Sequence, residues 1–314
     1  MELIGAIEVF LEMGLIFSVL AMGYFVSYSI LDFPDLSAEG TFLTGAVVFG
    51  LFVANGINPW LGLIAAFLSG CLFGAVTGLL HVRLKIRPLL CGILVSTALI
   101  TVNLVGVTAG VFGDFRAEQS SIISYGRDAV TLHEAFFGDL IPARLAGFGN
   151  IPLRQPILFL LIVVVCKLLL DLYLNTKSGL LLRATGNNSQ FVKMLSVDPG
   201  KYRILGLALG NGFAAVAGAL YTHTTDGVNQ SMGLGVVIIG LASLIIGLSV
   251  LGRVRFLKPT TKVIAGACLY QACLVAVQRI GIPSAYNKLI MAALFTVVLV
   301  LSSRKKKAGG HANA

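Results

Sequence analysis

Residues 177–222, KSGLLLRATGNNSQFVKMLSVDPGKYRILGLALGNGFAAVAGALYT, decide the fold: here a basic polar loop ends one apolar span and starts the next. Gly186 interrupts the chain, Asn187 and Asn188 are helix-capping residue types, and Pro199-Gly200 is a stop signal. About ten residues between them are expected to form one short exposed helix. Within 187–198, Phe191, Met194 and Leu195 fall at i, i+3 and i+4 and give that helix one apolar face on an otherwise polar loop. A loop that only linked two spans would have no use for such a face. Two uses stay open: docking into a soluble partner, or lying in the headgroup boundary of a bilayer.

Working outward, charged residues make up 12% of the 314 residues, where a soluble domain carries about 25%. Mean hydropathy is +0.91, so most of the chain is built for lipid. The net charge of +9 does not point to nucleic acid, because the basic residues sit in short turns between apolar spans and no aromatic-interleaved basic domain exists. Cys71, Cys91, Cys166, Cys268 and Cys273 all lie in apolar runs without a CxxC pair or nearby histidines, and read as small buried hydrophobes.

Residues 1–82 contain no Lys or Arg, while Glu2, Glu8 and Glu12 precede or enter the first apolar run. The first span, about 7–31, therefore reads as retained and not as a cleaved leader. LDFPDLSAEGTFLTGAVVFGLFVANG follows, headed by Asp32, Pro34, Asp35 and Glu39 and interrupted by Gly40, Gly45 and Gly50. Such a segment reads as a broken or pathway-lining helix; ordinary surface acids on a turn are the bland alternative. The third span, 60–84, carries Gly70, Gly74 and Gly78, a small-xxx-small stripe for close helix packing. The fourth, 88–110, carries Ser96, Thr97, Thr101 and Asn103, of which Asn103 is the strongest pathway candidate. Residues 111–154 are the one long polar region, with an amphipathic piece near 128–141. In the fifth span Lys167 and Asp171 stand at i,i+4, as an intrahelical pair would. YTHTTDGVNQSMGLGVVIIGLASLIIG, from Tyr221, repeats the polar-headed, glycine-interrupted pattern; His223 and Asp226 lack metal-ligand spacing.

The basic turns at 81–88, 177–203, 252–262 and 304–307 fall on one face if 37–56 crosses the membrane. That face is then the cytosol, the count is about nine spans, and the N-terminus and the 111–154 loop lie outside. If 37–56 re-enters instead, the count is about eight and residues 1–6 are cytosolic. The expected fold is an all-α polytopic membrane bundle forming a single transmembrane domain over 1–314. Its core is an inverted repeat with broken helices.

No phosphate-binding GxxxxGK[ST], no HExxH, no GxSxG and no hydrolytic cluster occurs, so the chain is not expected to turn over ATP and needs no cofactor or metal. Arg183, Ala184, Gly186 and Asn188, followed by LALGNGFAAVAGAL at 207–220, resemble the permease subunits of ATP-binding-cassette importers in the branched-chain amino acid and ribose superfamily. The run from Asp226 through GLGVVIIGLASLIIG also resembles that family, and PDLSAEGTFLTGA is similar to its subfamily for tryptophan or tyrosine uptake. The resemblance implies a multi-pass permease of a bacterial plasma membrane that works as a homodimer. A cytosolic ATPase and an extracytoplasmic solute-binding protein would serve it, and it would carry a small polar solute inward: an aromatic amino acid on the subfamily resemblance alone, with sugars, nucleosides and branched-chain amino acids open. One departure is Leu248, which stands where that family leads one to expect an acidic residue. An ion-coupled secondary transporter or a channel is the alternative reading. On the importer reading, Gly186, Asn187, Asn188, Phe191, Met194 and Leu195 couple to the ATPase, and Glu39, Thr41, Thr44, Asn103, Asn229 and Ser231 face the translocation path.

Overall fold

The computed structural model describes residues 2–109, 122–124, 132, 154–225, 227–252, 254, 256–279 and 286–310. Most of the 111–154 region, including the amphipathic piece except Leu132, and Asp226 lie outside the described residues. The described elements are α1 (Glu2–Tyr24, continued by a π-helical turn Phe25–Ile30), α2 (Ser37–Ala54), α3 (Pro59–Leu84), α4 (Pro88–Ala109), β1 (Ile122–Ser124) and α5 (Arg154–Asn175). They continue as α6 (Lys177–Asn187), α7 (Ser189–Met194), α8 (Pro199–Thr225), β2 (Gly227–Asn229) with a 3₁₀ turn Gln230–Gly233, α9 (Val236–Val250), α10 (Pro259–Arg279) and α11 (Asn287–Gly310). Proline opens α3, α4, α8 and α10, the helix position where its missing N–H costs nothing and its fixed φ helps. Asn58 adds a side-chain cap to α3 by accepting from Trp60 N–H at 2.9 Å.

Eight of the helical stretches are long and apolar enough to cross a membrane. The ninth expected span appears as the shorter apolar stretch Leu289–Val300 within α11. α8 packs against α1, α2 and α3, and 78% of its most apolar window is buried, as in α1, as against 28% for α3 and for α4. In lipid no hydrophobic force sorts one apolar helix from another, so contact falls to small residues that let backbones approach. The Gly70, Gly74 and Gly78 stripe does this against α8, where side chains at those positions would run into Asn211, Leu207 and Ile204.

Gly40, Gly45 and Gly50 do not interrupt the first polar-headed segment: α2 is one continuous helix of 18 residues. Gly40 seats against Ser96 and Leu99 of α4, and Gly45 against Ala215 of α8. The break lies upstream. The chain leaves α1 with Ile30 and Leu31 against Gly186 and Gly206, and Ser37 begins α2 beside Asn211. Asn211 lies near the middle of the 27-residue α8, so residues 31–36 re-enter the bundle before the second helix starts. The second polar-headed segment is broken within itself, by β2, the 3₁₀ turn and Gly235, whose φ of +88° suits glycine. β2 pairs antiparallel with β1, Ile122 opposite Asn229 and Ser124 opposite Gly227.

Candidate functional site

Three sets of polar or exposed residues stand out from the apolar bundle. The first is the loop between α5 and α8. Its short helix, α7, covers six residues, Ser189–Met194, not the 187–198 expected. Gly186 does not break the chain; it lies inside α6, packed so close to the Ile30 carbonyl that any side chain would collide. Asn187 is the last residue of α6, and Asn188 turns the chain, its Oδ1 accepting from Gln190 N–H at 3.0 Å and Phe191 N–H at 3.2 Å. The helix ends before the proline: Leu195 is its C-cap and Ser196 follows at φ +58°. Pro199 opens α8 instead, with Asp198 Oδ1 accepting from Gly200 N–H at 2.8 Å. The apolar face is there as expected: Phe191, Met194 and Leu195 are 52%, 81% and 51% exposed, while Val192 points inward and is fully buried. Nearby, Arg203 of α8 donates to His81 Nε2 at 3.2 Å and His81 Nδ1 lies 2.8 Å from the Ile86 carbonyl, which ties the α3–α4 turn to the base of α8.

The second set is a buried polar knot. Asn211 Nδ2 donates to Asp35 Oδ2 at 2.6 Å, and its Oδ1 accepts from Thr41 Oγ1 at 2.7 Å and lies 3.2 Å from Ser37 Oγ. The Ser37 N–H and hydroxyl both reach Asp35 Oδ1, and Thr77 Oγ1 of α3 closes the knot on Ser37 Oγ at 3.1 Å. All five side chains are buried. Asp35 is thus not an ordinary surface acid but the anchor of α2's head. Asn211 was missed from the sequence, although a lone asparagine in the Gly/Ala-rich run LALGNGFAAVAGAL is the signal that could have found it.

The third set lines a cavity of about 280 Å³ where the starts of α2 and α9 meet α4. Glu39, Ser96, Asn103, Asn229, Gln230 and Ser231 supply its polar lining. Four of the six expected path residues are therefore brought together. Thr41 and Thr44 are not among the lining residues: Thr41 belongs to the knot, and Thr44 bonds back to the Gly40 carbonyl at 2.9 Å. Asn103 Nδ2 donates to that same carbonyl at 3.1 Å, fixing α4 on α2. Asn229 Oδ1 caps the 3₁₀ turn through Ser231 N–H at 3.1 Å, and Gln230 Nε2 donates to the Ile100 carbonyl at 3.1 Å. Across the cavity Glu39 Oε1 accepts the Gly235 N–H at 2.9 Å, joining the two polar-headed segments at the N-terminus of α9, where a negative charge is favoured. A larger cavity of about 460 Å³, lined by residues such as Trp60, Phe67, Leu161, Cys166, Tyr173 and Phe213, is almost wholly apolar.

Elsewhere, Lys167 pairs with Asp171 at 3.1 Å as its spacing suggested, but Lys258 at 3.3 Å and Thr260 Oγ1 at 2.7 Å also reach that carboxylate, so it ties α5 to α10. His223 is buried with its ring near Phe49 and Phe159. Leu248 packs against the core. Among the described residues no group of three or more His, Cys, Asp or Glu is placed to hold a metal ion.

Residues 6–299 match the family model described as branched-chain amino acid transport system / permease component. The chain is 36% identical over 295 residues to a tyrosine transport system permease protein of Clostridioides difficile, covering 94% of this chain and 90% of that one. It is 28% identical to a probable branched-chain amino acid transport permease protein of Methanocaldococcus jannaschii, over 77% of this chain and 74% of the other. To a nucleoside ABC transporter permease protein of Lactococcus lactis it is 27% identical, over 68% and 66%. No solved structure matches it.

Proposed function

The chain belongs to the permease-component family of branched-chain amino acid transport systems, and from that premise we propose that it is the membrane subunit of an importer that carries an amino acid, tyrosine or a related aromatic one, into the cell. The similarity to a tyrosine transport permease over nearly the full length of both chains supports the solute class. Two copies form the pore, with a separate ATPase on the cytosolic face and a solute-binding protein outside. The Gly70, Gly74 and Gly78 stripe, which suggested a dimer contact from the sequence, is occupied by α8 of the same chain and carries no argument for the second copy. We take the α6–α7 loop and the RKKK run at 304–307 as cytosolic and the N-terminus as outside, a reading supported by Lys177, Arg183, Lys193, Lys201 and Arg203 in the loop.

The observation that carries this reading is the exposed Phe191, Met194 and Leu195 face on α7, held out by Asn188 and rooted by Val192. Through the short link to Pro199 it sits at the foot of α8, whose Asn211 holds the head of α2, the helix that carries Glu39 into the cavity. Docking of α7 in an ATPase groove would pass motion along α8. Burying each apolar side chain contributes about 1.5–3 kcal/mol. Phe191→Asp with Leu195→Asp is therefore expected to weaken ATPase binding by about 10²–10⁴-fold. The test is co-purification of the ATPase and solute-stimulated ATP hydrolysis in the double variant. Both are expected to vanish while the permease still inserts and dimerises; retention of both would show that α7 is not the coupling element. Arg144→Glu, in the 111–154 loop, is expected to leave ATPase association unchanged.

A further inference from the structure

Among the described residues, the cavity between α2, α4 and the head of α9 has one charged side chain in its lining, the acid Glu39, and no Lys or Arg. Glu39 Oε1 is engaged by the Gly235 N–H; its second oxygen takes no hydrogen bond from a described residue. Beside it, Gln230 uses its amide nitrogen on the Ile100 carbonyl, and its Oε1 is buried without a partner. A buried acceptor left without a donor costs free energy that water or a ligand must offset. The space, about 280 Å³, has room for about nine water molecules and hence for a small organic solute. Ser96, Asn103, Asn229 and Ser231 add hydroxyls and amides around it.

We infer that this cavity is a solute subsite that recognises a protonated amine, with Glu39 as the residue that specifies it and Gln230 Oε1 as a second acceptor. The inference rests on the importer reading and names the group of the solute that this cavity would hold and the residue that would hold it. A sugar, a nucleoside base or a free carboxylic acid brings no cation to satisfy a lone carboxylate, whereas an ammonium group supplies three donors in a point charge. A bare inorganic cation fits less well, because among the described residues the lining offers a single carboxylate.

Glu39→Gln separates charge from architecture. Glutamine keeps the side-chain length and an acceptor for Gly235 N–H, so the head of α9 stays capped while the negative charge is lost. The experiment uses the full chain in lipid nanodiscs, with the five cysteines replaced and Ser231→Cys introduced at the cavity wall. The readout is the labelling rate of that thiol by a water-soluble sulfonated reagent. The probes are L-tyrosine, tyramine, the deaminated acid 3-(4-hydroxyphenyl)propanoate, and sodium chloride at matched ionic strength. L-Tyrosine and tyramine are expected to slow labelling, and the deaminated acid and sodium are not. Glu39→Gln is expected to raise the half-protecting concentration of both amines by about 10- to 100-fold, the weight of one charged hydrogen bond. Equal protection by the deaminated acid or by sodium alone, or unchanged protection in Glu39→Gln, overturns the subsite. ATP-driven L-tyrosine uptake by the complete transporter tests the importer reading separately. Absent uptake with the amine pattern intact overturns that reading and leaves the subsite standing. Normal uptake in wild type and in Glu39→Gln alike overturns the subsite alone.

Discussion

The two polar-headed segments, 31–54 and 226–250, look like mirror images in sequence, yet they are held in opposite ways. The head of α2 is locked: Ser37 and Thr41 are fully buried, Asp35 is anchored by Asn211, and α2 rests on α8 through Gly45 and Gly218. The head of α9 is less deeply buried: Asn229 and Ser231 are exposed and Leu234 is 56% exposed, while Val228 and Val236 are buried, Gln230 bonds to α4 and Gly235 bonds to Glu39 of α2. Few buried contacts and exposed backbone mark the regions that open most readily. On that ground the α2 wall of the cavity, which packs on α8, is expected to be the stiffer one and the 229–235 wall the one that opens first. Hydrogen exchange at 230–238 is expected to outpace exchange at 37–45.

The largest effect should come from attacking the stiffer wall at its base. Gly74→Val drives a branched side chain into Leu207 and Asn211 of α8, where both surfaces are backbone-bearing and neither can yield. The cost is expected to be about 3 kcal/mol or more, read as loss of monodisperse protein in detergent. A fully stable Gly74→Val would show that α3 and α8 are not in close contact. Next, Asn211→Leu leaves the Asp35 carboxylate and the Thr41 hydroxyl buried without their partner. The loss should be about 2–4 kcal/mol, from interhelical bonds worth about 1 kcal/mol each and the stranded acid. A thermal melt checks it, and a melting temperature equal to wild type would remove the knot from the account of α2.

A smaller change is expected at the yielding wall. Gly235→Ala forces a β-carbon into φ +88° at a cost of about 1–2 kcal/mol. Because that turn is local, it should alter solute transport and exchange at 230–238 more than the global melt. A uniform loss of stability would instead make the two walls equivalent. The finest test contrasts two threonines one turn apart. Thr41→Val removes an interhelical bond to Asn211 and should cost about 1 kcal/mol, whereas Thr44→Val removes only a bond within its own helix and should stay within about 0.5 kcal/mol. Equal effects would dissolve the distinction between knot and helix surface.

What the sequence determined by itself was set by local chemistry. Apolar runs of span length, the capping Asn188 and the i, i+3, i+4 spacing of Phe191, Met194 and Leu195 depend on neighbours along the chain, and each appears in the structure as a property of its own segment. Gly186 and the α2 glycines were misjudged from the sequence because a glycine that lets another backbone approach looks the same as one that breaks a helix. Only the fold tells them apart, by placing Ile30 or Ala215 against them. The cavity and the knot were likewise decided by tertiary structure. Glu39 meets Gly235 across 196 residues, and Asp35 meets Asn211 across 176. In a bundle dissolved in lipid, hydropathy fixes which segments enter the membrane but gives no preference for which helix faces which. That choice falls to glycine contacts and a few buried polar groups, whose partners are known only once the helices have packed.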